Sequence, residues 1–359
     1  MSFTVRAVTL HAGSLDPSDD EGVESAVARL QEAVDRSASR LGLRPTYIRL
    51  AMRRPEGELG RVVKQLERLS SQVAINVGQL QPNVSPGDLE ALSSAGLYAS
   101  ILLPEPSWGA AKAIASSIIG MSSSDPSLAT RVAVNVMGEE GFVTPYYPLA
   151  SARPRQELVT VALTYPSYLA QAYRSGGLGE LTNAIVNAAR AAEELGRSVA
   201  SELGAEYAGV DLSVSPWMED SSLALVEEVA GVRMPRPGFT SGVRAVNEAI
   251  ARASASVKAV GFNEVMLPVG EDSKLKARVS EGEVNARYLA MLSGVCVAGL
   301  DMVAVPADEA GIAGLILDVA SYSRAKGRTL GVRVIPVEGA EPGDKVDLGR
   351  FGESPIIAI

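Results

Sequence analysis

The alternation of short apolar β-type runs with helical patterns is the feature that most constrains the fold. Ten runs rich in β-branched residues follow one another along the chain, and helical patterns with apolar spacings of three and four separate most of them. Strands joined through helices pair in parallel by right-handed crossovers. The predicted strands are Thr4–Leu10, Tyr47–Ala51, Val73–Val77, Tyr98–Leu103, Arg131–Val136, Leu158–Leu163, Tyr207–Leu212, Gly261–Leu267, Met302–Val305 and Gly331–Ile335.

The length of the chain and its loops indicate one domain. A chain of 359 residues accommodates two ordinary domains or one large α/β barrel. The most loop-like stretches are Ser122–Asp125 and Gly141–Pro154, and neither is typical of an interdomain linker. We therefore predict a single α/β domain over residues 1–359. Ten strands exceed the eight of the common barrel, and an open doubly wound sheet is an alternative that strand counting leaves open.

The charge balance excludes several classes of partner. With 33 Lys and Arg against 42 Asp and Glu, the net charge is −9, which disfavours general binding of nucleic acid or of anionic membranes. The longest apolar stretch, Leu289–Leu300, is too short to span a bilayer, and the first residues show no signal-peptide pattern. We predict a cytoplasmic protein without nucleic-acid or membrane partners.

Only one histidine and one cysteine are present, His11 and Cys296. A zinc site built from Cys and His and a disulfide within the chain are thereby excluded. Cys296 lies in an apolar helical run, where cysteine is typically a small core residue. His11 follows the first predicted strand and is the default acid–base candidate, since its ordinary pKa is near neutrality. The competing interpretation of His11 is a hydrogen-bonded loop residue.

Several ordered blocks in the second half of the chain resemble a known family. They are Val210–Pro216, Leu267–Val269, Gly299–Pro306 and Val332–Pro336, within a similarity that extends from about Leu158 to the end. They resemble a domain-of-unknown-function family whose members adopt a barrel similar to pyruvate formate-lyase and other glycyl-radical enzymes. The resemblance implies a ten-stranded α/β barrel, in agreement with the strand count. It implies no reaction, because a fold does not determine a function.

The glycyl-radical chemistry of that fold is not expected here. It needs a glycine on a C-terminal loop that faces a cysteine at the barrel centre. Cys296 instead precedes the strand at Met302, at a helix-to-strand junction opposite the usual active face. Residues 343–359 contain glycines but no recognisable radical loop. We predict the barrel without the radical machinery.

Polar residues that follow the predicted strands define a candidate site. In parallel α/β folds, sites form where the strands end and the next loops begin. We assign acid–base roles to three of these residues, substrate contacts to five, and ligation of a divalent cation, Mg²⁺ or Ca²⁺, to two. In that order they are His11, Asp220 and Glu271; Asn135, Tyr146, Ser213, Ser215 and Trp217; and Asp272 and Asp308.

For the acidic residues, a structural role at helix N-termini is favoured over acid–base chemistry or cation binding. Asp220, Asp272 and Asp308 all precede helical patterns, where carboxylates cap the first turn and suit the helix dipole. The long loop around Tyr146 and Tyr147 indicates a lid or binding loop, or a contact with a neighbouring subunit.

Three hypotheses for the function follow. The leading one is an enzyme that acts on a small polar metabolite at the carboxyl face of the barrel. The second is a non-catalytic protein that binds a metabolite or metal at the same place. The third is a structural homo-oligomer, and we expect a homo-oligomer in each case.

Overall fold

The computed structural model describes residues 3–56, 58–297 and 299–359. The first half of the chain alternates five strands with four helices. These elements are β1 (Thr4–Ala12), α1 (Asp20–Leu41), β2 (Tyr47–Met52), α2 (Leu59–Leu66), β3 (Ala74–Leu80), α3 (Pro86–Ser94), β4 (Tyr98–Leu103), α4 (Trp108–Ser122) and β5 (Val132–Val136).

The second half contains four longer strands, six helices and a terminal hairpin. These elements are β6 (Glu157–Thr164), α5 (Pro166–Leu203), β7 (Glu206–Asp211), α6 (Ser222–Ala230), α7 (Phe239–Ser254), α8 (Ser273–Ser280), α9 (Ala286–Leu292), β8 (Asp301–Pro306), α10 (Glu309–Lys326), β9 (Leu330–Val337), β10 (Lys345–Asp347) and β11 (Glu353–Pro355).

The helices form where the sequence combines a capping residue with an apolar stripe. In α1 the side chain of Asp19 accepts a hydrogen bond from the amide of Gly22, and Gly42 ends the helix with a φ of 65°. Its buried apolar residues recur every three or four positions, as a helix packed on a sheet requires: Val23, Val27, Leu30 and Val34. No helix in the described ranges combines the length and the apolar character needed to cross a bilayer.

The nine long strands form one sheet in the order β7-β6-β1-β2-β3-β4-β5-β9-β8. Strands β1 to β5 are parallel to one another, and so are the pairs β6–β7 and β8–β9. The pairs β1–β6 and β5–β9 are antiparallel. Parallel pairing, which was predicted for strands joined through helices, does not extend to these two pairs. The helix-free connection over residues 137–156 lets β6 return antiparallel beside β1, which a crossover helix would prevent.

The α/β class is confirmed, and nine of the ten predicted strands are present. The remaining predicted strand, Gly261–Leu267, forms only an isolated parallel bridge, between Val265 and Val214. Just before this segment, Ala259 forms another isolated bridge, to Val210. This segment thus runs beside β7 without a continuous ladder. Closure into a ten-stranded barrel stays a prediction.

The two antiparallel junctions decide where a site can form. The carboxyl ends of β1 to β5 lie at the edge of the sheet where β6 to β9 begin. Loops that follow strands in the two halves of the chain therefore emerge on opposite sides. The expectation of one shared carboxyl face is wrong, because it assumed a uniformly parallel sheet.

Candidate functional site

The connection between β5 and β6 packs against side chains of the sheet. Asn76 Nδ2 donates to the carbonyl of Pro148 at 2.6 Å, and Arg49 Nη1 donates to the carbonyl of Pro145 at 2.5 Å. Tyr146 on this segment is only 8% exposed. Its ring therefore lies inside the protein, which removes it as a contact with a neighbouring subunit.

A cavity of about 70 Å³ lies between this connection and the sheet. Residues of seven of the nine strands line it, together with residues that follow β7 and the segment 261–267. By the usual allowance per water it has room for about five water-sized particles. Its aromatic wall consists of Tyr47, Tyr98, Tyr146, Tyr147, Trp217, Phe262 and Phe351. We call it the central cavity.

Three buried charged groups, Arg6, Glu271 and Arg333, form an ionic network with the partly buried Asp301 at one side of the central cavity. Glu271 pairs with Arg6 through one carboxylate oxygen and with Arg333 through the other, the latter at 2.9 Å. Arg333 Nε also donates to Asp301 Oδ1 at 2.7 Å. Arg6 Nη1 donates to the carbonyl of Pro216 at 2.6 Å. Every carboxylate of this network is thus compensated by a guanidinium group.

Glu271 is held as an anion by this network. Burial alone would raise its pKa, but the charges of Arg6 and Arg333 and their hydrogen bonds outweigh burial and lower the pKa to about 2. A carboxylate with such a pKa does not exchange protons efficiently near neutral pH. The geometry therefore favours an electrostatic role for Glu271 over the predicted acid–base role.

Arg49 differs from Arg6 and Arg333 in having no anionic partner. It is 8% exposed, and among the described residues no carboxylate lies within 4 Å of its guanidinium group. Its guanidinium carbon lies 4.8 Å from the ring centre of Tyr147 and 5.4 Å from that of Tyr47. Burial, with a smaller contribution from Arg6, lowers the pKa of Arg49 to about 10, so the group is still a cation at neutral pH.

The central cavity adjoins a surface groove. Tyr47, Ala74, Tyr98 and Arg350 line both spaces, so they mark the place where the cavity approaches solvent. Arg350 lies in the turn of the β10–β11 hairpin and is exposed. A small solute therefore has a short route into the cavity past these side chains.

His11 lies on β1 away from the central cavity. It is fully buried, and its Nδ1 donates to the carbonyl of Ser151 at 2.7 Å while its Nε2 accepts from the hydroxyl of Thr160 at 2.8 Å. A carbonyl can only accept, so the proton of the neutral ring is on Nδ1. Burial lowers the pKa of His11 to about 4. This environment matches the hydrogen-bonded alternative rather than the acid–base role.

The three predicted aspartates lie at helix N-termini. Asp272 and Asp308 cap α8 and α10, accepting from the amides of Leu275 and Ala310, both at 3.1 Å. Asp220 Oδ1 accepts from the amide of Ser167 at 2.6 Å, in the first turn of α5. No group of three or more His, Cys, Asp or Glu side chains suited to a metal occurs within the described ranges. Capping of the following helix is thus confirmed for Asp272 and Asp308, whereas Asp220 bonds to the first turn of α5 and Ser221 caps the helix that follows it.

The five predicted substrate contacts divide into two groups. Tyr146, Ser215 and Trp217 line the central cavity together with Glu271. Ser213 does not line it, and its hydroxyl donates to Asp211 Oδ1 at 2.6 Å. Asn135 is fully buried and also lies outside the lining, and its amide has no hydrogen-bond partner among the described residues.

Sequence reasoning missed the arginines that dominate the cavity. Arg6, Arg49 and Arg333 lie within strands, and not in the loops after them. Each is embedded in an apolar run, as in Val-Arg-Ala, Ile-Arg-Leu and Val-Arg-Val. A charged residue within a buried strand is rare unless it is paired, and this pattern is the signal that could have identified them.

Cys296 lies in the core, as predicted, with no exposed surface, and it does not line the central cavity. We expect its thiol to be inert toward Ellman's reagent in the native protein and to react fully in guanidinium chloride, because reactivity requires access to the thiolate. Absorbance of the released thionitrobenzoate measures both states. Stoichiometric reaction of the native protein would contradict the buried position.

The comparisons with known proteins identify the family. Residues 108–349 match the sequence profile described as Uncharacterised ACR (DUF711). A UPF0210 protein of Pyrobaculum islandicum is 30% identical over 396 aligned residues, covering 96% of this chain and 87% of that protein. A UPF0210 protein of Methanopyrus kandleri is 35% identical over 177 residues, covering 47% of this chain and 39% of that protein.

Among solved structures, the anaerobic ribonucleotide reductase from Thermotoga maritima superposes with a TM-score of 0.43 at 10% sequence identity. The superposition covers 92% of this chain and 79% of that chain. The family resemblance expected from the sequence blocks is confirmed by the profile match and by the full-length relatives. The chain therefore belongs to the DUF711 family, also called UPF0210.

Proposed function

We propose that the protein binds a small organic carboxylate in the central cavity, with Arg49 as its principal charge partner. The observation that carries this proposal is the buried cation of Arg49, which has no carboxylate within 4 Å among the described residues. A buried unpaired charge is costly, and an anionic ligand would compensate it.

The chemistry of the lining supports a carboxylate ligand. A guanidinium group presents a planar set of donors that matches a carboxylate in a bidentate pair. Within the described residues, the guanidinium of Arg49 makes one hydrogen bond, to the carbonyl of Pro145. The remaining donors are available to a ligand, and the surrounding aromatic rings suit a short hydrocarbon chain.

Size limits the ligand to a small molecule. The cavity volume of about 70 Å³ fits a short-chain organic acid better than a nucleotide or a sugar phosphate. This ligand belongs to the class of small polar metabolites expected from the sequence. In this proposal arginines bind the ligand, whereas the sequence had indicated carboxylates that hold a divalent cation.

Thermal unfolding tests the proposed function. Sodium butyrate and sodium succinate, compared with sodium chloride at equal ionic strength, should raise the Tm of the wild-type protein. A ligand at a hundred times its Kd adds about 2.7 kcal/mol to the free energy of unfolding. The Arg49→Gln variant should lose this rise, and the Arg49→Lys variant should retain part of it.

Arg190→Gln is the matched control, because Arg190 is exposed on α5 and does not line the cavity. It should respond to the carboxylates as the wild type does. An equal response in the Arg49→Gln variant, or no response of the wild type to either acid, would refute the proposed function.

We also propose that the protein acts in the cytoplasm as a homo-oligomer. The chain has a single cysteine, Cys296, which is buried, and a chain without an internal disulfide is typical of reducing compartments. Fractionation of cells and light scattering of the purified protein test the two statements. Recovery in a membrane fraction would refute the first, and a monomeric mass would refute the second.

A further inference from the structure

On the basis of the function proposed above, we propose that the ligand is a short aliphatic dicarboxylate. Arg49 would bind one of its carboxylates inside the cavity, and Arg350 would bind the other at the entrance.

Arg350 is a second cation of the lining without an anionic partner. Its Nη2 donates to the hydroxyl of Tyr98 at 3.1 Å, and its guanidinium carbon lies 4.7 Å from the ring centre of Phe351. Among the described residues no carboxylate lies within 4 Å of it. Neutral and aromatic contacts thus position a guanidinium group at the entrance without an anionic partner among the described residues.

The same ring connects the two unpaired arginines. The guanidinium carbons of Arg49 and Arg350 lie 5.4 and 5.7 Å from the ring centre of Tyr47, so they are at most about 11 Å apart. A carboxylate paired side-on lies about 4 Å from each guanidinium carbon. A four-carbon diacid has about 4 Å between its carboxyl carbons, so with both carboxylates paired it can reach two guanidinium carbons up to about 12 Å apart, which covers the whole permitted range.

The charges of the lining favour two negative charges on the ligand. Arg6, Arg49, Arg333 and Arg350 line the cavity with only two carboxylates, Glu271 and Asp301, which leaves an excess of two positive charges. A monocarboxylate would compensate one of them, whereas a dicarboxylate would compensate both. The small volume excludes long chains, and the ring of Tyr47, which lies beside both guanidinium groups, offers an apolar surface to the methylene groups.

Isothermal titration with acids of matched carbon number tests this inference. Malonate is compared with propionate, and succinate with butyrate, at equal ionic strength. In the wild type and in the Arg190→Gln control, each dicarboxylate should bind at least about tenfold more tightly than its matched monocarboxylate. In the Arg350→Gln variant this ratio should fall below about threefold, because only the binding of the dicarboxylate weakens.

The possible failures are distinguishable. If wild type binds dicarboxylates and monocarboxylates equally, or if Arg350→Gln weakens both equally, the dicarboxylate inference is wrong while the proposed function stands. If inorganic phosphate binds more tightly than succinate and depends on Arg350, the ligand is a compact dianion, and the inference is also wrong. If no carboxylate binds, the proposed function fails and the inference fails with it. Arg350 is exposed, so its variant should fold normally.

Discussion

Replacing Glu271 with glutamine should lower the free energy of unfolding by about 3–5 kcal/mol, the usual cost of removing one partner of a buried ion pair. The substitution preserves shape but removes the anion that compensates Arg6 and Arg333. Asp301, which pairs with Arg333, would then be the remaining carboxylate of the cavity lining. Urea unfolding at neutral pH, followed by circular dichroism, measures the change.

Glu248→Gln provides the matched control for this prediction. Glu248 pairs with Arg244 at 2.9 Å on the surface of α7, where its side chain is 52% exposed. Exposed pairs contribute about 0–1 kcal/mol, so the control should unfold close to wild type. A Glu271→Gln variant as stable as this control would show that the network does not require the charge of Glu271.

The Glu271→Gln variant also separates the effect on stability from the effect on ligand binding. Loss of the Glu271 charge raises the positive excess of the cavity, so the variant should bind succinate more tightly than the wild type while unfolding more easily. Titration calorimetry on the folded variant measures the affinity. Weaker binding would indicate that Glu271 positions Arg6 and Arg333 for the ligand, instead of only compensating them.

Acidification should destabilise the protein through its single histidine. The pKa of His11 is lowered from 6.5 to about 4 by burial, so below pH 6.5 the unfolded chain binds a proton that the folded protein does not. The stability contributed by the neutral ring is therefore complete above that pH and is lost as the pH falls toward 4. Between about pH 7.5 and about pH 5 the loss should be about 2 kcal/mol.

Urea unfolding at both pH values, in wild type and in a His11→Gln variant, isolates this contribution. Glutamine can donate to the Ser151 carbonyl and accept from Thr160, but it does not titrate. The wild type should lose about 2 kcal/mol more than the variant over this range. Since His11 is the only histidine, the imidazole NMR signals give its pKa without assignment. A pKa near 6.5 would contradict the buried, hydrogen-bonded position.

Local sequence patterns were sufficient for most secondary structure and for the helix ends. The β-branched runs at Tyr98–Leu103 and Tyr207–Leu212 became β4 and β7 within one residue. Asp272 and Asp308 were expected to cap helices, and they do. These features depend on residues a few positions apart, where spacing and side-chain chemistry act directly on the backbone.

The cavity was not predictable in the same way. Tyr146, Ser215, Trp217 and Glu271 were selected because they follow strands, and all four line it. The arginines were missed because the rule about carboxyl ends of strands applies to a uniformly parallel sheet. In this sheet, the amino-terminal parts of β1 and β2 lie at the same end as the residues that follow β7.

The sequence by itself determined the alternation of strands and helices, the α/β class, the family and the burial of Cys296. Tertiary structure alone decided that Arg6 meets Glu271, 265 positions away, and that Arg49 meets none of the cavity's carboxylates. The physical reason is that hydrophobic periodicity acts between near neighbours in the chain. The pairing of buried charges depends instead on the direction of each strand, and here a helix-free connection reversed the direction of half of the sheet.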